Sequence, residues 1–187
     1  MKLTTILLFM GLFSFLSCGN KSHSNSESKD LKQKEIYTLP YFGKVDLNQT
    51  KEKDVVIEFQ QSKISILLDF ENDMIEKSKM KSITMILNDL EYYIQEANKE
   101  VKKDFESGGA VKDYFEHHIE VIPEEEINYK NKEEFFKVFK VAEIGFLPEE
   151  DDHYAVFWFS IDPNLTNYYI VVRFNKNRNF ESIDFVS

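Results

Sequence analysis

Between Val55 and Phe70 the chain reads VVIEFQQSKISILLDF, and from Asp73 to Phe105 it reads DMIEKSKMKSITMILNDLEYYIQEANKEVKKDF. The fold class turns on the change of period between these two stretches. In the first, Ile57 and Phe59, then Ile64, Ile66, Leu68 and Phe70, alternate with Glu58, Ser65 and Asp69. That period of two, interrupted by polar Gln60 to Lys63, predicts a hairpin with one buried face. In the second, Ile83, Ile86, Leu87, Leu90, Ile94, Ala97, Val101 and Phe105 recur at steps of three and four, the spacing of a core-facing helical stripe. Asp73 and Glu76 have capping-box spacing at its start. A single helix from Met74 to Glu106 would exceed the usual globular length, so a break is expected within Glu91 to Gln95.

Outward from this pair the pattern extends in both directions. Ser107-Gly108-Gly109 stops the helix, and Val111, Tyr114, Phe115, His118 and Ile119 begin a second stripe that Pro123 ends. Asn131 with Glu134 can cap a third, short helix carrying Phe135, Phe136 and Phe139. Strand patterns then return at Val141 to Leu147, Tyr154 to Ile161, Tyr168 to Phe174 and Phe180 to Val186. Turn-rich connections make the last three an antiparallel meander. Tyr154 to Ile161 (YAVFWFSI) is nearly continuous apolar sequence, which predicts a central strand covered on both sides, with Trp158 in the core. Upstream, Leu39 to Leu47 is either a short strand or an ordered arm, and Pro40 places it at an edge. The expected fold is α+β: two strands, about three helices and four strands, in a mostly antiparallel sheet with helices packed on one face.

Composition excludes several classes. The 187 residues are 42% hydrophobic and include 17 Phe, 9 Tyr and one Trp, too much buriable surface for a disordered chain. Against 33 acidic residues there are 23 basic ones, and only Arg173 and Arg178 are arginines, so no nucleic-acid partner is expected. One Cys excludes an internal disulfide framework.

That Cys lies in a telling place. Met1-Lys2 precedes an apolar run from Leu3 to Leu16, and Ser17-Cys18-Gly19-Asn20 follows, a secretory pattern too short for a comfortable membrane span. Leu16-Ser17-Cys18 resembles a bacterial lipoprotein signal, with Phe15 where Leu is usual. The resemblance implies removal of residues 1–17 and acylation of Cys18, for example with palmitate, so that the protein is lipid-anchored to a membrane of the bacterial cell envelope. No acidic residue closely follows Cys18, so no acidic sorting signal is present, and inner and outer membrane both stay open. Cleavage removes only Lys2 among the charges and leaves 22 basic against 33 acidic groups. Residues 18–38, dominated by Asn, Ser, Lys, Glu and Gln, read as a flexible tether with a reach of roughly 25 Å. Residues 39–187 read as a single α+β domain. Three of its blocks, Pro40 to Leu47 (PYFGKVDL), Val111 to Ile119 (VKDYFEHHI) and Tyr154 to Ile161 with Tyr168 to Phe174 (YYIVVRF), resemble an uncharacterised bacterial domain-of-unknown-function family. That resemblance implies one domain and this element order, and it brings no activity.

Chemistry-bearing clusters are few. No Gly-x-Ser-x-Gly elbow and no P-loop occurs. Glu149, Glu150, Asp151, Asp152 and His153 form the sharpest polar group, and carboxylates with an imidazole can ligate a divalent cation, which His117 could join from across the fold. The same run also reads as a solvated acidic loop, and neither catalytic residues nor a cofactor are assigned. His118, on the apolar stripe, reads as a packed, hydrogen-bonded core residue. The expected function is a non-catalytic binding or interaction module with an unidentified protein partner, one version being an acidic immunity-like protein that meets a basic toxin. The alternative is an envelope enzyme, a metal-assisted hydrolase using the loop 149–153.

Overall fold

The computed structural model describes residues 36–47, 51–70, 75–123, 126–127 and 129–187. The signal segment, Cys18, the tether as far as residue 35 and Asp73 lie outside the described residues. Strands β1 (Ile36–Leu39) and β2 (Gly43–Asp46) pair antiparallel as a separate two-stranded sheet. The upstream segment is therefore a hairpin, and β1 takes in Ile36, Tyr37 and Thr38, which the sequence reading gives to the tether. Leu39, Phe42, Val45 and Leu47 are buried in the main core, and Lys53 Nζ donates to the Phe42 carbonyl at 2.8 Å.

Strands β3 (Glu52–Phe59) and β4 (Ser62–Asp69) form the expected hairpin. Four helices follow: α1 (Lys77–Asn88), α2 (Leu90–Ser107), α3 (Ala110–Val121) and α4 (Lys132–Val138). The sequence reading of about three counts the long stripe as one helix and looks for its break within Glu91 to Gln95. It falls at Asp89, which leaves helical geometry at φ −110°, ψ 31° and serves as the C-cap of α1 and the N-cap of α2. Asn88 and Asp89 carry short polar side chains that compete for backbone hydrogen bonds and favour turns, whereas Tyr93 and Ile94 are buried on the helix that follows. Helix α1 begins after Glu76, whose side chain makes no capping bond. At the next junction Gly108 adopts φ +77°, the left-handed conformation that a glycine tolerates without strain. The Asp104 carboxylate then accepts the Val111 N–H at 2.7 Å, satisfying the start of α3. At α4 the capping box forms as expected: Asn131 Oδ1 accepts the Glu134 N–H at 3.0 Å, and Glu134 reaches back to the Lys130 N–H at 2.7 Å.

The chain closes with β5 (Lys140–Phe146), β6 (Ala155–Ser160), β7 (Tyr169–Phe174) and β8 (Phe180–Val186). The main sheet has six strands in the order β3-β4-β5-β6-β7-β8. It is mixed, since β4 and β5 run parallel while its other neighbours are antiparallel. A parallel neighbour needs a long crossover, and the four helices supply it. The register lines up Val55, Ile66, Ile144, Phe157, Val172 and Ile183 across all six strands. That row joins the buried helical residues in one core. Phe135, fully buried on α4, packs against Phe105, Phe115, Tyr129 and Phe139, and its nearest ring, Phe139, lies stacked at 4.6 Å.

Candidate functional site: the second face of the sheet

Side chains alternate across a strand, so the same register builds a second surface. One row there runs Val56, Ser65, Glu143, Trp158, Val171 and Asp184; the next runs Asp54, Leu67, Gly145, Val156, Arg173 and Ser182. None of these residues belongs to the core that unites the other face with the helices and the β1–β2 hairpin. Val156 and Val171 are nevertheless almost fully buried.

Trp158 explains part of that burial. Its ring lies against Gly145 on the neighbouring strand, so that a methyl group added there would come within 2.7 Å of the indole. An isolated Gly in a bulky strand often marks such a close approach. Trp158 is therefore half-buried on the second face, and its expected place in the core is corrected. The apolar run that contains it has side chains on both faces, and periodicity alone does not say which face the helices cover.

Glu143 reaches this face by a bulge. The pairing of β5 with β6 shifts between Val141 and Glu143, leaving Ala142 as the extra residue. Val141 and Ile144 consequently both face the core, while Glu143 and Gly145 face away from it. Burial holds the Glu143 carboxyl above its ordinary value, because the charged form loses water there. Arg173 pairs with Asp184 and lies 3.5 Å from the Ser182 hydroxyl. On this face Val56, Leu67 and Trp158 therefore keep apolar surface open to solvent, Val156 and Val171 are closed off, and one desolvated acid and one ion pair share their rows.

The acidic loop is used differently. Asp151 is held by Lys79 of α1 at 3.0 Å and by Lys176 of the β7–β8 turn at 2.5 Å. These hydrogen bonds, that from Lys176 foremost, keep its carboxyl below the ordinary range and raise the Lys176 ammonium. The Lys176 N–H also donates to the Asp151 carbonyl at 2.8 Å. Glu150 meets His153 Nδ1 at 3.0 Å at the surface, Asp152 is exposed, and Glu149 has an interaction of its own. Among the described residues no group of three or more His, Cys, Asp or Glu side chains converges to hold a metal ion. His117, which by sequence could join such a site from across the fold, packs against the rings of Tyr168 and Phe185. The run 149–153 is a clasp between a loop, a helix and a turn.

His118 is fully buried, as its stripe position implied. Its Nδ1–H donates to the Tyr114 carbonyl at 2.7 Å, which leaves Nε2 to accept from the Thr166 hydroxyl at 2.9 Å. Thr166 in turn accepts the Tyr168 N–H at 3.1 Å. Burial lowers the pKa of the imidazole and keeps it neutral. Every polar atom of this ring has a partner, which makes it a structural pin. No helix among the described residues is long and apolar enough to cross a membrane. Comparison of the chain with family models, curated proteins and solved structures finds no match in any of the three.

Proposed function

We propose that this protein is a non-catalytic binding module of a bacterial cell envelope, anchored through acylated Cys18 and presenting the second face of its six-stranded sheet to a protein partner. One observation carries the binding reading: on the face that shares nothing with the helical core, Val56, Leu67 and Trp158 keep apolar surface open to solvent. A desolvated acid on the same face adds to it, since a partner's cation would relieve the cost of keeping Glu143 charged. The anchor rests on the apolar run that ends at Leu16-Ser17-Cys18.

Both parts have direct tests. Cys18→Ser should move the protein from the membrane to the soluble fraction of lysed cells; a variant as membrane-bound as the parent refutes the anchor. For the face, a photo-crosslinking residue is placed in intact cells at Leu67 or Ser182, and for comparison at Glu91 on helix α2. Adducts of one size from the sheet positions and none from Glu91 are expected. Equal adducts from all three would remove the sheet face from consideration.

A further inference from the structure

At the opposite edge from Asp184, the turn of the β3–β4 hairpin overhangs a cavity of about 240 Å³. Ile64, Ile94, Phe136 and Phe139 give it an apolar lining. Lys102, Lys140 and Asn98 line it as well, together with Gln60 from the turn. A more open groove of about 410 Å³ shares Phe59, Gln60, Ile94, Asn98 and Lys102 with it. In a chain with a formal charge of −10, two amines beside an apolar pocket form a local reversal of sign. Lys99 and Lys103 on the same helix pair with Glu96 and Glu100, at 3.3 and 3.1 Å. Lys102 has no carboxylate partner among the described residues, and Lys140 has only the Ser62 hydroxyl at 3.4 Å.

The turn adds an independent observation. Phe59 pairs with Ser62, so Gln60 and Gln61 are the whole loop, and both have positive φ, +47° and +66°. Two-residue hairpins of this kind favour Asn-Gly or Gly-Gly, because side chains with a Cβ are strained there. Strain of this sort persists where the surrounding structure enforces it, and it gathers at ligand clamps. Gln60 lines both cavity and groove; Gln61 lines neither.

We infer that this cavity binds a small amphipathic carboxylate, its apolar chain lying against Ile64, Ile94 and Phe139 and its charge meeting Lys102 and Lys140. At roughly 30 Å³ per small group the cavity has room for about eight non-hydrogen atoms, so the alkyl chain of a free carboxylate of about eight carbons fits inside, with the carboxylate head outside that count, at the amines. The inference is independent of the partner surface proposed above, which lies on the other face of the sheet.

Octanoate is titrated into the full chain labelled at its Ile methyl groups. Saturable shifts are expected at Ile64 and Ile94 and none at Ile183, which lies toward the far edge of the sheet. Octanol should bind at least tenfold more weakly, and octylamine should cause no shift. Lys102→Met with Lys140→Met, both at exposed positions, should bring octanoate down to the level of octanol without altering the remaining spectrum. Gln60→Gly and Gln61→Gly should each raise the melting temperature by relieving strain, and only Gln60→Gly should weaken binding. Equal binding of octanoate and octanol, or shifts that spread to Ile183, would overturn the site. Equal weakening by the two glycine variants would overturn the role of the Gln60 side chain. An octapeptide with an apolar C-terminus that binds more tightly than octanoate would overturn the small-molecule assignment in favour of a chain terminus.

Discussion

On the helix side of β6, Ala155, Phe157 and Phe159 are buried in the core that the sheet shares with the helices, and every residue in the row through Phe157 is apolar. On its other side Val156 and Trp158 sit in rows that also hold Glu143, Arg173, Asp184 and Ser182. The same six residues of sequence thus serve two environments that differ in what surrounds them, not in how apolar they are. The difference teaches that bulk alone does not locate the core. Phe157 contacts Phe174 edge-on at 5.3 Å and has no exposed surface, whereas the larger Trp158 rests on a glycine and keeps part of its ring in solvent.

The sharpest way to break this comparison is truncation on each side. Phe157→Ala should cost about 3–5 kcal/mol, as large-to-small changes in a sealed core do. Trp158→Ala should cost only about 1–2 kcal/mol, because water already reaches one side of the ring and no closed cavity is left. Urea unfolding of both variants checks it, and a loss at Trp158 as large as that at Phe157 would mean that something covers the second face. Tryptophan emission from the parent should accordingly be partly accessible to acrylamide.

Gly145 sharpens the same comparison at smaller scale. Gly145→Ala places a methyl group against the indole and should cost about 1–3 kcal/mol, the usual range for overpacking. In a Trp158→Ala background the same change should be nearly free, and a double-mutant cycle should yield a coupling of about 1 kcal/mol or more. Additive losses would show that the ring does not depend on the glycine.

These elements also show what was legible in the sequence. Hydrophobic period decided the β3–β4 hairpin, the helical segment and the strands after it, because each buries one clear stripe. The turn at Asn88–Asp89 is hard to see because the apolar stripe runs on through Leu87 and Leu90, and helix length calls for a break without saying where. The parallel pairing of β4 with β5 depends on where the crossover ends, which local pattern does not carry. The sequence points Trp158 to the core because β6 is apolar on both faces; the signal against it is the isolated Gly145 in the neighbouring strand. Nothing in the sequence singles out Glu143. A strict period of two through Val141 puts it on the helix side, and only the bulge at Ala142 turns it outward. The acids at 149–153 were visible as a cluster, but their lysine partners come from α1 and from the β7–β8 turn, distant in sequence.

Two titrating groups, one on each side of the sheet, give a smaller contrast. His118, on the helix side, has a folded pKa below its ordinary value of 6.5. The folded state then binds fewer protons than the unfolded one, so its contribution is complete above pH 6.5 and is lost as the pH falls from there toward the folded pKa. Stability measured by urea unfolding should decline over that window in the parent. In a folded His118→Gln variant the decline should be absent, whatever the variant's overall loss; an unchanged decline would assign it to other groups.

Glu143, on the second face, should show the smallest effect and the opposite sense. Its folded pKa is raised above the ordinary 4.5 by burial, so the folded state holds the proton more firmly than the unfolded chain does. Its stabilising contribution is therefore present below pH 4.5 and is lost as the pH rises through the folded value. At pH 7 the charged carboxylate is a net cost, and Glu143→Gln should stabilise the protein there by at most about 0.5 kcal/mol, since water still reaches the group. Near pH 4 the gain should vanish. If the face engages a partner through this acid, the same substitution should weaken crosslinking from Leu67 and Ser182 while the fold becomes slightly more stable. A stability gain with undiminished crosslinking would leave Val56, Leu67 and Trp158, and not Glu143, as the surface the partner reads.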